Sequence, residues 1–240
     1  MKLAFISDIH GNAVALEAVL EDIKEKMVDR IYVLGDICYR GPDPKQCIDR
    51  IRSLQTEAIK GNADEWVVRG VSPGEVPETV IDMMNLERSW TISRLDRHDI
   101  DYLDRLPTTL DLNVEGVTIS AFHATPESLF EIVPPDAGDE FLKGKLMSAA
   151  EADVFIYAHI HRPYIRYIEG KVLINTGSVG LPFDGLRKAS YAIIEVNGGR
   201  IGTSIERVPF DAEEVIRRYA NEHYPNSEMM ARLIRKASVK

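Results

Sequence analysis

Residues 2–10 read KLAFISDIH, and the change of character inside that stretch decides the fold. Residues 2–7 form a continuous apolar run of the kind found in strands buried on both faces. The run stops at Asp8 and His10, two groups that are costly to bury without partners. Residues 12–27 then set Val14, Leu16, Ala18, Val19, Leu20 and Ile23 on a helical stripe with acidic residues between them. The same grammar repeats twice. A strand at Ile31–Leu34 stops at Gly35 and is followed by a helical pattern over 44–54, with Pro44 suited to its first turn. A strand over residues 57–60 stops at Gly61. Three successive strand–loop–helix units imply a parallel sheet with right-handed crossovers, whose polar loops gather at the carboxyl ends of the strands.

Residues 70–106 interrupt the rhythm as a helical insertion. Glu78–Leu95 reads as a helix with Val80, Met83, Met84 and Trp90 on its apolar side, and Asp99–Leu106 as a shorter one. They read as packing helices over the core, with a lid or a dimer contact as the functional alternative. After Pro107 come paired strands, 108–114 with 117–122, 164–168 with 172–175, and 191–196 with 201–208, the last turning at Asn197-Gly198-Gly199. A helix over about 139–151 leads into a strand at 154–158. Asp211 and Glu214 suggest a capping box opening the C-terminal helices of 209–240. The expected architecture is α/β: two mixed sheets face to face with helices outside, as one domain over 1–240.

Composition narrows the function classes. The 240 residues include 38 acidic against 29 basic side chains, a formal charge of −9. Stable nucleic-acid complexes and anionic membranes select for basic surface, so neither is expected as a partner. Small phosphorylated substrates remain open, because bound metals reverse the local charge of a site. Two cysteines, Cys38 and Cys47, are too few for a disulfide framework and fit a reducing compartment. The N-terminus lacks the pattern of a signal peptide, and no stretch approaches the roughly 20 apolar residues that span a bilayer. A cytoplasmic protein is expected.

The chemistry-bearing residues sit where strands end. Asp8 and His10, two apart, point the same way if the chain is extended, so both can reach one ion. Asp36 follows Gly35, where a carboxylate can bridge two metals. Arg40, four residues on, carries a planar fork of donors matched to phosphate oxygens. Asn62 follows Gly61 and offers a neutral amide oxygen. His123 ends the strand VTISAF, and His159-Ile160-His161 follows VFIYA. Four of the six histidines thus lie at strand ends, with His98 and His223 elsewhere. Two Asp, one Asn and four His supply enough ligand atoms for two ions sharing one carboxylate, the arrangement that makes a nucleophile of water.

The ordered set D8-x-H10, G35-D36-x3-R40-G41, G61-N62, H123 and H159-x-H161 closely resembles the calcineurin-like metallophosphoesterases. The stretch N175-T-G-S-V-G-L-P-F-D-G185 resembles the NPGS segment of their small prokaryotic phosphodiesterase branch. The resemblance implies a four-layer α-β-β-α sandwich. It implies one metal on Asp8, His10, Asp36 and His161, a second on Asp36, Asn62, His123 and His159, and catalysis by Asp36 and Arg40. Substrate would be held by Arg40 and Ser178. Mixed imidazole and carboxylate ligation suits Mn, Fe, Zn or Ni, with Mn favoured. Many members carry a histidine after the Gly-Asn pair, where it contacts phosphate or protonates the leaving group. Here Ala63 leaves that role vacant. Thr176 replaces the usual proline of NPGS, and Tyr39 stands where Ser/Thr phosphatases carry an aspartate. The expected activity is in-line attack of a hydroxide held between the ions on a phosphodiester or phosphoanhydride of small nucleotide-like substrates. Alternatives are a phosphomonoesterase and a non-catalytic scaffold like the retromer small subunit. A homo-oligomer is open.

Overall fold

The computed structural model describes residues 1–148 and 151–239. One five-stranded sheet has the order β10 (Arg200–Val208), β9 (Ala189–Asn197), β1 (Lys2–Ile6), β2 (Arg30–Val33), β3 (Glu57–Ala58). The other runs β4 (Thr109–Val114), β5 (Val117–Phe122), β6 (Val154–Tyr157), β8 (Lys171–Asn175), β7 (Tyr164–Ile168). Both are mixed. The pairs β1–β2, β2–β3, β5–β6 and β6–β8 are parallel, while β9 and β10, β4, and β7 attach antiparallel.

The period-two alternation of side chains along a strand produces the layers. Leu3 and Phe5 point inward and meet Ile119, Ala121, Ile156 and Ile174 of the opposite sheet. Their neighbours Ala4 and Ile6 point outward onto Leu16, Val19 and Ile23 of α1 (Ala13–Glu25) and Ile48 of α2 (Pro44–Ser53). On the far side, Phe155 and Leu173 pack against Leu142 and Leu146 of α6 (Asp139–Leu146). Each such large side chain contributes about 1.5–3 kcal/mol when fully buried. Helix, sheet, sheet and helix therefore stack as the four expected layers.

Several local expectations are corrected. The helix expected over 139–151 ends at Leu146, and residues 149–150 lie outside the described residues. The helix of the third unit, for which the sequence reading gave no range, is α3 (Asn62–Arg69) and begins directly at Asn62 without an intervening loop. The hairpin turn after β9 narrows from Asn197-Gly198-Gly199 to its two glycines, because Asn197 still pairs with Arg200. Asp211 caps α7 (Ala212–Asn221) by accepting from Glu214 N–H, but the Glu214 carboxylate turns to Arg217 and Arg218, so only half the capping box forms.

The insertion packs on the core through α4 (Glu78–Ile92) and α5 (Arg97–Asp104). The buried face of α4 carries Met84, Glu87 and Thr91, whereas Val80 and Met83 are exposed. A carboxylate occupies that face because Glu87 Oε2 lies 3.2 Å from Arg40 Nε. Arg88 donates to the carbonyls of Trp66, Val67 and Val68 in the last turn of α3, where the Trp66 carbonyl also accepts from Gly70 N–H. Helix α8 (Ser227–Lys236) closes over α7. Cys38 and Cys47 are buried and unbridged.

The loops at the carboxyl ends of the parallel strands approach so closely that two glycines have no substitute. A Cβ on Gly41 would lie 1.8 Å from the His10 carbonyl oxygen, and one on Gly180 would lie 1.8 Å from that of Ile9. By contrast, Gly144 sits in exposed α6 with open space around it. Urea unfolding should find Gly180→Ala destabilised by about 3 kcal/mol or more through overpacking. Gly144→Ala should be stabilised by up to about 1 kcal/mol through helix propensity. Equal stability of the two variants would contradict this packing.

Candidate metal centre

Six loops deliver the site, those after β1, β2, β3, β5, β6 and β8, all at the carboxyl ends of parallel strands. The chain turns there through the left-handed region: Asp8, His10, Asp36, Arg40, His159 and His161 have φ between 48° and 69°. Each such residue costs roughly 1–2 kcal/mol, so the neighbourhood must enforce it. Backbone bonds between loops do so. Asp8 N–H donates to Gly35 O (3.1 Å), His10 N–H to Asp36 O (2.9 Å) and Gly180 N–H to Asp8 O (2.9 Å). Asp8 and His10 therefore converge through a tight turn, not through the extended chain that their spacing suggested.

The first cluster joins Asp8, His10, Asp36 and His161, all buried, with ligand atoms within 4.8 Å of one another. His10 Nδ1 donates to Tyr39 O (2.9 Å) and His161 Nδ1 to Leu181 O. Each ring therefore presents a bare Nε2 to the other at 3.1 Å. Asp8 Oδ1 lies 3.2 Å from His161 Nε2 and has no hydrogen-bond partner. Lone pairs aimed at one point in a dry site repel unless a cation sits among them.

The second cluster shares Asp36. Its Oδ2 lies 3.5 Å from His10 Nε2 and 3.5 Å from His123 Nε2. His123 Nδ1 donates to Leu34 O (2.6 Å), and Asn62 Oδ1 faces both His123 Nε2 (2.9 Å) and His159 Nδ1 (2.8 Å). His159 Nε2 is buried without a partner. The other Asp36 oxygen, Oδ1, accepts from Ala63 N–H (2.8 Å). The donor set on both sides of Asp36 fits divalent cations, and His10, His161 and His123 are oriented by backbone carbonyls as metal ligands usually are.

The charges agree with that fit. Burial alone would raise Asp8 and Asp36, but the imidazole of His161 holds Asp8 low, and those of His123 and His10 hold Asp36 low. Burial pushes His10 down to about 4, and burial with the nearby His123 does the same to His159. His123 moves the other way. Burial opposes its charge, yet the Asp36 carboxylate outweighs it and raises His123 to about 9.

The remaining expected residues are placed differently. Arg40 is half-buried, its Nε toward Glu87 and one terminal nitrogen 3.8 Å from Met230 Sδ. Ser178 is fully buried: its hydroxyl donates to Asp8 O (2.8 Å) and accepts from Leu181 N–H (2.8 Å). It positions Asp8 and has no surface for substrate, which corrects the expectation. Thr176 tolerates the loss of the proline by bonding Ser7 Oγ (2.6 Å), which in turn donates to Asp8 Oδ2 (2.8 Å). Ala63 is buried in the apolar cluster with Trp66 and Val67.

One supporting residue escaped the sequence reading. Asp64, fully buried, accepts from the N–H groups of Asp36 (2.8 Å), Ile37 (2.9 Å) and Gly61 (2.9 Å). It starts α3 and clamps the Asp36 loop to it. Burial and the charge of Asp36 push its pKa up to about 7. The available signal was an acid three residues after a glycine that ends a strand, an N-terminal helix signature.

The family model for the calcineurin-like phosphoesterase superfamily domain matches residues 1–199. The chain belongs to this superfamily. The protein MJ0912 of Methanocaldococcus jannaschii is 31% identical, covering 93% of each chain. The phosphodiesterase YfcE of Escherichia coli K12 is 25% identical, over 81% of this chain and 88% of its own. A solved metallophosphoesterase from Sphaerobacter thermophilus superposes with a TM-score of 0.79 at 25% identity, covering 99% of both chains. This calcineurin-like chain is a phosphoesterase with a metal-binding cluster.

A proton count tests the site. The Asp36 carboxylate raises His123 to about 9 while burial lowers His10 and His159, so His123 is the imidazole expected to hold a proton at pH 7.5 in the metal-free chain. Metal uptake involving His123 should therefore displace that proton, and affinity should rise with pH toward about 9. Calorimetric titration with Mn²⁺ in two buffers of different ionisation heat measures that release. A value near zero would contradict His123 as a metal ligand that is protonated in the metal-free chain.

Proposed function

We propose that this superfamily member hydrolyses phosphodiesters or phosphoanhydrides of small nucleotide-like molecules at a centre of two divalent ions, with Mn²⁺ preferred. The observation that carries the reading is Asp36 Oδ2, set 3.5 Å from one histidine of each cluster. A shared carboxylate in that position supports two ions with Asp8, His10 and His161 on one side and Asn62, His123 and His159 on the other. Two such ions supply a water ionised at neutral pH and neutralise charge on the phosphoryl oxygens.

The protein's own groups do the rest. Asp64 holds the Asp36 loop, and Ser178 and Ser7 hold Asp8, so the ligand atoms need no rearrangement when substrate arrives. Glu87 orients the Arg40 fork, whose other donors are offered to a phosphate oxygen. With Ala63 buried in the core, no side chain at that position protonates a leaving group. Esters with good leaving groups are therefore favoured over alkyl monoesters. The name of the Escherichia coli relative, a phosphodiesterase, supports the same choice. The formal charge of −9 supports a small substrate over nucleic acid. Among the described residues no helix is long and apolar enough to cross a membrane, and two unbridged cysteines support a cytoplasmic location.

Turnover of bis-p-nitrophenyl phosphate with Mn²⁺ separates the roles. Asp36→Asn should lose at least roughly a thousandfold in kcat, and Arg40→Ala roughly ten- to a hundredfold, since it removes one donor among several. An Asp36→Asn variant with wild-type turnover at full metal loading would sink the two-ion reading.

A further inference from the structure

A groove of about 380 Å³ opens beside the metal centre, and His159 is part of its wall. That volume falls within the usual range for small-molecule sites. Phe183 forms another part of the wall. Its ring stacks on the imidazole of His161, centroids 4.4 Å apart and planes within 12°, and its N–H donates to His161 O (3.1 Å). The groove therefore adjoins one histidine of each cluster. Ile132, Pro134 and Val239 complete an apolar lining. Ile132 is 70% exposed and Val239 60%, large apolar side chains standing in solvent at the mouth of the groove.

Its charged residues are one arginine and one carboxylate. Arg162, directly after His161, is exposed and has no hydrogen-bond or ion-pair partner among the described residues. Asp136 balances it, so the groove carries no formal net charge. A second phosphate or a polyphosphate tail finds no excess of cations there. An uncharged ring finds apolar walls and the half-buried ring of Phe183.

We propose that this groove seats an aromatic ring carried by the substrate's ester group, with Arg162 donating to the phosphoryl oxygens at its entrance. The proposal rests on the phosphoesterase reading of the metal centre and names the part of the substrate beyond the phosphate. Ring burial against Ile132, Phe183 and Val239 gives selectivity. Arg162 contributes to every phosphate ligand alike.

Calorimetry on the Mn²⁺-loaded full chain tests it with two pairs of ligands: phenylphosphonate against methylphosphonate, and adenosine 5′-monophosphate against ribose 5-phosphate. The ring should tighten binding roughly tenfold in the first pair, as expected for burying one ring in an open groove. A matching gain in the second pair assigns the groove to a nucleoside, and a gain in the first pair alone assigns it to a simple aryl ester. Ile132→Asp, at an exposed position, should erase most of the ring preference, read as the ratio of the two affinities, in which the repulsion of either phosphonate by the new carboxylate cancels. Arg162→Ala should weaken both members of each pair by the same factor. No ring preference in either pair, or a preference untouched by Ile132→Asp, overturns the proposal. Hydrolysis of bis-p-nitrophenyl phosphate by wild type, measured in parallel, separates the two failures: lost turnover sinks the phosphoesterase reading while the binding ratios still report on the groove.

Discussion

Asp36 holds a carboxylate in a site only 2% exposed, with Oδ2 between two imidazoles and Oδ1 on the Ala63 amide. Taking such a charge out of water costs several kcal/mol unless it is surrounded by donors and cations. Most of the surrounding structure supplies them. Asp64 fixes the two amides that begin the loop, His123 is raised to about 9 by the same charge, and Gly61 leaves room for the carboxylate. A Cβ on Gly61 would lie 2.1 Å from Asp36 Oδ1. The glycine before Asn62 is thus required by packing, whatever its part in the turn.

The sandwich serves that centre by stacking two sheets whose parallel strands end at the same edge. The strands β1, β2 and β3 deliver Asp8, His10, Asp36 and Asn62, and β5 and β6 deliver His123, His159 and His161. Neither sheet alone holds a complete set, because each cluster takes ligands from both. The inner apolar layer of Leu3, Phe5, Ile119 and Ile156 therefore does more than stabilise the chain. It sets the separation across which Asp36 and His123 meet.

Much of this was legible from residue type at strand ends. Apolar runs that stop at Asp, Gly-Asp, Gly-Asn or His mark buried strands feeding polar loops, and the two-sheet architecture follows from their order. What failed had physical causes. Helix α3 opens on Asn62-Ala63-Asp64 without an apolar stripe, and its start depends on Asp64 reaching back to Gly61. The convergence of Asp8 and His10 comes from left-handed backbone at both residues, which no side-chain periodicity reveals. Ser178 looks like a substrate group beside a glycine, yet the close approach of Gly180 to Ile9 turns its hydroxyl inward to Asp8. Glu87 reads as a surface charge until the Arg40 loop packs over α4.

The shared role of Asp36 is open to direct sight. Anomalous diffraction from crystals saturated with Mn²⁺ should give two peaks about 3.5–4 Å apart, both within ligand distance of Asp36. One should be enclosed by Asp8, His10 and His161, the other by Asn62, His123 and His159. A single peak among Asp8, His10 and His161, with none beside Asn62 at saturating metal, would contradict the two-ion account.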